Sequence, residues 1–426
     1  MPDADARWSR TKRLGFLFLA FYLLFNIVPH ALAAVPVAGD WLLELWLMLW
    51  DALMPVLGNA ALGIEGPIEV APTGSGDMTW NYVQQFWFVV IAAVVAVVWT
   101  VLDKRRRDHA TFYAWLRIAV RYSLALAMFS YGLAKWSGNQ FQPPDALRLG
   151  ETFGDASPMG LAWTFLGFSP AYCWFTGLAE VLAGALLVWR RTATLGGLVA
   201  AAVMANVVMI NFCFDVPVKL YSSLLLLMAV VVAAHDAPRL LAVLVYNTPA
   251  PPADLSAPVL GPKLRALRVV AKALFLLMVP VSFVMQRAAV AEMMAMASYG
   301  PLYGLWEVET FSRDGAVRPA DPNDALRWRQ LFVGDFPYAL VRPMTGERQF
   351  FGFASDPAAK TITLSEHGEA PVEHVLSFEQ PAPDVLELTG KLGEATIAAR
   401  LRKVDLEHTE LMSRGFRWIS ERPYNR

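Results

Sequence analysis

The chain has 426 residues, 56% of them hydrophobic and 17% charged, against about half apolar and a quarter charged in an average soluble domain. Its 36 Lys and Arg nearly balance 37 Asp and Glu, and no basic stripe lies outside short loops, so the electrostatic footprint of a nucleic-acid binder is missing. Two cysteines are too few for a disulfide framework or a thiolate metal site.

A helix needs about 20 apolar residues to cross the hydrocarbon core of a bilayer. In chain order, residues 14–35, 82–102, 112–134, 171–189, 193–212, 217–234 and 267–286 meet that requirement, which predicts an α-helical polytopic bundle of about seven transmembrane helices. Residues 41–57 are apolar too, but Asp40, Glu44 and Asp51 accompany them, and the segment reads as an interfacial helix lying on the membrane. Basic residues fix the orientation. Arg7, Arg10, Lys12 and Arg13 precede the first span, Lys104, Arg105, Arg106 and Arg107 follow the second, and Arg190 and Arg191 follow the fourth. Arg239, Lys263, Arg265 and Arg268 separate the sixth from the seventh, whereas residues 38–79 hold no Lys or Arg and 137–169 hold only Arg148. Every loop agrees with a cytoplasmic N-terminus and a C-terminus outside. An alternative for the first span is a signal peptide cleaved after Ala31-Leu32-Ala33, which leaves the next loop on the same side.

After Tyr299 the apolar runs become short and alternating. Segments 306–311, 327–333, 350–354, 360–364, 375–378, 385–388 and 395–401 read as strands, punctuated by turns such as Arg313-Asp314-Gly315 and Pro381-Ala382-Pro383-Asp384. Such spacing predicts a small antiparallel barrel or sandwich, and Gly304-Leu305-Trp306 resembles the opening strand of lipocalin-like barrels. His367, His374 and His408 lack metal-ligand spacing and are expected to be solvated or locally bonded; no metal is expected. The expected divisions are 1–110 for N-terminal helices with the interfacial helix, 111–236 for a four-helix core, 237–298 for a cytoplasmic loop and the last span, and 299–426 for the β domain.

Polar side chains within spans are costly and face partners. In the third span Arg117, Arg121, Met128, Tyr131 and Lys135 share one helical face, and in the fourth Cys173, Gly177, Glu180 and Gly184 form a stripe. The glycines flanking Glu180 admit a second backbone. The tight Arg190-Arg191-Thr192 turn makes the fourth and fifth spans an antiparallel hairpin, placing Glu180 level with Asn206 and Cys173 level with Cys213. The cysteines have two readings, a disulfide that exchanges electrons or two buried thiols. Glu180 also has two: a structural partner of Asn206 or Arg121, or a proton-handling or ligand-binding carboxylate. Asp215 is expected to cap the sixth span, with Pro217 in its first turn and Lys219 in ion-pair range. Lys135, Asn139, Gln140, Asn211, Asp215 and Lys219 form either one outward-facing polar mouth or ordinary caps and snorkelling lysines.

No phosphate-binding Gly-Lys-Ser/Thr loop, Gly-x-Gly-x-x-Gly, His-Glu-x-x-His or Gly-x-Ser-x-Gly occurs. The segments Tyr131-Gly132-Leu133-Ala134-Lys135-Trp136, Gly177-Leu178-Ala179-Glu180-Val181-Leu182-Ala183-Gly184, Asn206 through Asn211 and Phe214-Asp215-Val216-Pro217-Val218-Lys219 resemble the four-helix core of DoxX-like membrane proteins over residues 117–234. The Gly-Leu-Ala-Lys segment is also similar to horizontally transferred transmembrane proteins related to vitamin K-dependent carboxylases. That resemblance implies a bacterial inner-membrane protein, with quinone-linked oxidation of sulfur compounds or assistance to periplasmic redox proteins among the family's roles. The extra spans and the terminal β domain depart from the family, so the fold transfers more directly than a reaction. The candidate site is Lys135, Glu180, Asn206, Asn211, Asp215, Lys219, Tyr131 and Arg121, with Cys173 and Cys213 as a candidate redox pair; no catalytic residue is assigned, and the cofactor is left open, with a quinone as the candidate. The expected partners are the bilayer and either a periplasmic protein or a small apolar ligand. The competing expectation is a non-enzymatic scaffold or carrier that presents the β domain to a periplasmic partner.

Overall fold

The computed structural model describes the chain except residues 1–7, 34–37, 71–72, 104–107, 256–257, 259, 297–299, 367, 369–371, 416 and 423–426. Arg7, Val35, the basic run at 104–107, Tyr299 and His367, all used in the sequence reading, lie outside the described residues. The chain forms two compact units, residues 1–141 with 158–287, and residues 142–157 with 288–426.

The first unit is helical: α1 (Arg10–Ala33), α2 (Gly39–Leu62), α3 (Thr79–Leu102) and α4 (Ala110–Ser137) come before the insertion that holds α5 (Ala146–Leu149). Then follow α6 (Pro158–Phe168), α7 (Pro170–Val188), α8 (Ala193–Cys213), α9 (Lys219–Ala234), α10 (Ala237–Leu244) and α11 (Pro262–Met296). Among the described residues six helices are long and apolar enough to cross a membrane: α1, α2, α3, α7, α8 and α11. The count becomes seven if α9 and α10, which meet at a 75° bend, form one broken span. The protein is thus built as a multi-pass membrane protein.

One expectation changes here. The third expected span, 112–134, lies in α4, which is not among the helices apolar enough to cross. Its length of 28 residues is ample, but Arg117, Arg121 and Lys135 dilute it. Twelve of its residues are buried by neighbouring helices, including Arg121 and Lys135, so α4 is solvated by protein rather than lipid and can be polar. Helix α2, which contains the expected interfacial segment, is long and apolar enough to span by length and composition, but its two ends are not on opposite sides. Helices α1 and α3 run antiparallel: the Arg13 guanidinium donates to the Asp103 carbonyl at 2.6 Å, and midway Gln85 donates to Asn26 Oδ1 at 2.7 Å. Gly39 abuts the backbone of Ala33, whereas Gly58 abuts Ile68 and Val83. Both ends of α2 therefore sit at the same end of the α1–α3 pair.

The expected cap on the sixth span is also different. Helix α9 starts at Lys219, beyond Pro217, and its first amides are held by Asp77, which accepts from Lys219 N–H at 2.7 Å and Leu220 N–H at 3.0 Å. A carboxylate from the segment before α3 thus satisfies orphan donors of a helix 142 residues away in sequence.

The second unit is an antiparallel barrel. Its strands are β1 (Gly304–Arg313), β2 (Ala316–Val317), β3 (Trp328–Val333), β4 (Tyr338–Pro343), β5 (Gln349–Asp356), β6 (Thr361–Glu366), β7 (Glu373–Ala382), β8 (Val385–Leu392) and β9 (Ala395–Lys403), followed by the single turn α12 (Glu410–Ser413). β1 and β3 to β9 pair in chain order and β9 returns to β1, closing eight strands, while β2 only extends β1. The interior is filled by side chains that include Trp306, Phe311, Trp328, Leu331 and Leu401. Trp306 is fully buried, donates its indole N–H to the Leu302 carbonyl at 2.8 Å and lies under Lys403 Nζ at 5.5 Å from the ring centroid.

All seven expected strands are present, and β4 is the principal one missed. Five of its six residues are buried. Ala339 and Val341 point into the barrel, but Leu340 packs on the outside with Leu305, Phe332 and Ala146 of α5. A strand covered on both faces loses the alternation that marks a half-exposed one. The boundary at 299 is incomplete for the same reason: residues 142–157, assigned in the sequence reading to the four-helix core, cover this barrel face.

Candidate functional site

The site is assembled where α4 ends against α7. Gly138 adopts φ 82° and caps α4 by donating to the Ala134 carbonyl, a left-handed turn that only glycine enters cheaply. The chain then doubles back, with Asn139 and Gln140 N–H also reaching Ala134 O, which brings Gln140 and Phe141 over Lys135. Helix α7 starts with Ser169 accepting from Tyr172 N–H and Pro170 in the first turn. Gly132 and Gly177 face each other so closely that a Cβ on Gly132 would lie 2.7 Å from the Gly177 carbonyl oxygen. Farther along, Gly184 meets the backbone of Ala125.

This approach brings Lys135 Nζ to 2.9 Å and 2.8 Å from the two Glu180 oxygens, and to 3.1 Å from Gln140 Oε1. All three ammonium protons are therefore used. The side chains are 8% and 3% exposed. The Tyr131 and Phe141 ring centroids stand 5.9 Å and 5.6 Å from Nζ, and the Tyr131 ring neighbours that of Tyr221 at 6.2 Å. A buried ion pair gains little over apolar packing when intact, but removing one partner strands the other charge. Chemically the group is an ammonium, a carboxylate and a phenol ringed by aromatic surface.

The partners expected for Glu180 are not the ones found. With Ala125 facing Gly184 in an antiparallel pair, Arg121 lies toward Val188, one end of the bundle away from Glu180. Its guanidinium instead sits 5.1 Å from the Tyr122 ring centroid. Asn206 is level with Glu180 along the hairpin but is exposed on α8. Lys135 is the partner, six residues past the point of α4 that faces Glu180 at equal depth, its long stem spanning the difference.

The cysteines are not bonded. Cys173 is buried with Phe141, Leu166 and Trp163, its thiol donating to the Leu166 carbonyl at 3.0 Å, whereas Cys213, the last residue of α8, is exposed. The expected electron-exchanging pair is thereby corrected: antiparallel register fixes depth, but rotation about each helix axis points the two sulfurs into different surroundings. The single polar mouth also divides. Lys219 pairs with Asp215 at 2.8 Å and lies 3.8 Å from Asp77, and Asn211, which is buried, reaches the Val218 carbonyl at 3.5 Å. Among the described residues no hydrogen bond or ion pair joins this group to Lys135.

Three features escaped the sequence reading. Asp77 follows Ser75-Gly76 directly before a span, so its capping character was visible but its distant client was not. Phe141 closes over Lys135 only because the chain reverses at Gly138. In the barrel unit, Glu151 is clamped between Arg148 at 3.0 Å and Arg348, its side chain 4% exposed. Beside it burial raises the Asp145 carboxyl above the usual range, opposed by the Arg148 amide. Burial, aided by Asp145 and Asp335, pushes the Tyr338 phenol up to about 12. None of these has a spacing signal, because residues 142–157 and 335–348 meet only in the fold.

No protein-family model matches the chain, and no solved structure matches it. It is 38% identical over 132 residues to the uncharacterized protein YwoB of Bacillus subtilis (strain 168), a match covering 28% of this chain and 82% of that protein.

Proposed function

We propose that this chain, which belongs to the family of the uncharacterized protein YwoB and has a barrel unit besides its membrane helices, is a DoxX-like anchor of the bacterial inner membrane. In this reading it is not an enzyme: the N-terminus is cytoplasmic, and the bundle holds the barrel in the periplasm, where it takes a protein partner or a small apolar ligand. One observation supports this most, the saturation of Lys135 by Glu180 and Gln140. A cation with every donor satisfied by its own bundle, beneath a glycine contact of two backbones, has the form of a lock between α4 and α7. The test replaces both charges with apolar groups, Lys135→Met with Glu180→Leu. The anchor reading expects the double variant to fold and to keep the barrel accessible to protease from the periplasmic side. A folded double variant that loses barrel display overturns it.

A second reading is a quinone-associated redox subunit, which rests on the composition of the same cluster. A carboxylate–ammonium pair beside Tyr131, Phe141 and the Cys173 thiol offers proton donors and flat apolar walls for a quinone headgroup. Solvent extraction of the purified full chain separates the two. About one quinone per chain, lost in Glu180→Gln protein that still folds, favours the redox subunit, and quinone-free protein that binds no added quinone removes it.

A further inference from the structure

At the opposite end of α4 from Lys135, three guanidinium groups converge on a cavity of about 170 Å³. Its lining includes Arg117 and Arg121 of α4, Arg190 from the turn between α7 and α8, Tyr113, His235 and Asp254. Arg121 is only 9% exposed, and its Nε has no hydrogen-bond partner. Tyr113 hydroxyl and His235 Nδ1 are bonded to each other at 2.9 Å. The nearby Asp236 is engaged by Arg239 at 3.1 Å and by the Thr194 hydroxyl. Among the described residues three arginines thus share a small polar cavity with one lining carboxylate, Asp254, while Asp236, the other carboxylate near Arg117, is already held by Arg239 and Thr194. Like charges gathered in a poorly hydrated place repel strongly unless an anion lies among them. Arginine forks match the tetrahedral oxygens of a phosphate, each guanidinium giving parallel N–H donors.

We propose that the cavity bounded by Arg117, Arg121 and Arg190 binds a phosphate group, carried by an anionic phospholipid or by a small soluble phosphate compound. Arg117 and Arg190 form the open side and Arg121 the floor. The site is independent of the anchor reading, since it uses none of the Lys135 cluster. The position of the arginines beside two helix turns suits a headgroup entering from the membrane surface.

Thermal unfolding of the full-length protein in uncharged detergent tests the assignment with two probes at matched ionic strength. One is inorganic phosphate, and the other is phosphatidylglycerol in mixed micelles, with phosphatidylcholine as the neutral reference. At least one probe is expected to raise the melting temperature saturably. Response to the lipid alone identifies a headgroup site, and response to both identifies a site for free phosphate as well. Arg190→Gln, half-buried and lining the cavity, should weaken half-saturation by about tenfold, the worth of a charge-assisted hydrogen bond. Arg191→Gln, its exposed neighbour outside the cavity, should leave it unchanged. No saturable shift with either probe, or equal loss in the Arg190 and Arg191 variants, overturns the proposal. Since both substituted side chains are at or near the surface, misfolding does not confuse the outcome.

Discussion

The two ends of α4 treat charge in opposite ways. At Ser137 the helix closes on Lys135, whose charge is met by a buried carboxylate and an amide. Toward Ala110 it carries Arg117 and Arg121, which with Arg190 line a cavity where, among the described residues, Asp254 is the one lining carboxylate. One helix therefore holds a finished electrostatic unit and an unfinished one. The difference shows why charge in a membrane helix has no single meaning: a compensated pair locks neighbours together, whereas an uncompensated group calls for a ligand.

The largest test of that contrast is Glu180→Gln. Removing one member of a buried pair strands the other, so unfolding in detergent should show a loss of about 3–5 kcal/mol. The double variant Lys135→Met with Glu180→Leu should recover most of it, because apolar packing replaces a buried pair at little cost. A double variant as unstable as the single would mean that the charges themselves, not their balance, hold α4 to α7.

The closed end also depends on backbone contact. A side chain on Gly177 would lie 2.8 Å from the Gly132 carbonyl oxygen and from Trp136. Gly177→Val should therefore push the helices apart, with an expected loss of about 1–3 kcal/mol from overpacking and a weakened Trp136 N–H bond to the Trp174 carbonyl, now 3.0 Å. Unchanged stability would show that the glycine seam is slack and the ion pair alone sets the spacing.

At the open end the sign reverses. Arg121→Met removes a buried guanidinium whose Nε lacks a partner and keeps much of its volume. In detergent free of phosphate and anionic lipid, stability should rise by about 1 kcal/mol. A fall comparable to that of Glu180→Gln would erase the distinction between the ends.

What the sequence revealed follows the same division. The apolar spans were readable from hydropathy, and Glu180 between glycines marked a close helix contact, because both signals are local and periodic. Its partner was not readable. Lys135 lies near the end of its helix and reaches back along α7, so matching depth by residue number pointed to Asn206 and Arg121 instead. Cys173 and Cys213 went wrong in a related way: register predicts level, while rotation about the helix axis, set by packing, decides direction. In the barrel the alternating strands were legible, but β4 was hidden by cover on its outer face from residues 142–157, which lie more than 180 residues earlier in the chain. Exposed turns kept their signals, as at Asp314-Gly315 between β1 and β2.

The smallest effect concerns a charge pair at the barrel surface, and it separates a pair with one solvated partner from a pair buried on both sides. Asp324 holds Arg318 with two bonds, at 2.7 Å and 3.0 Å, and accepts the Leu326 and Arg327 amides. The Arg318 hydrogen bonds are the main cause that lowers its carboxyl from 3.8 to about 2. A carboxyl depressed by folding binds fewer protons in the native state than in the unfolded one, so its contribution is complete above pH 3.8 and disappears as the pH falls toward 2. Arg318 is about one third exposed and holds Asp324 at the barrel surface, so the change in stability should be small and reduced further by salt. Acid titration of full-length protein with barrel unfolding as readout should show this slope, and Asp324→Asn should flatten it while leaving the helical unit unaffected. The buried Lys135–Glu180 pair, shielded from bulk ions, should respond far less to the same salt. Equal salt sensitivity at the two pairs would mean that water reaches Glu180, and the closed end of α4 would then be open after all.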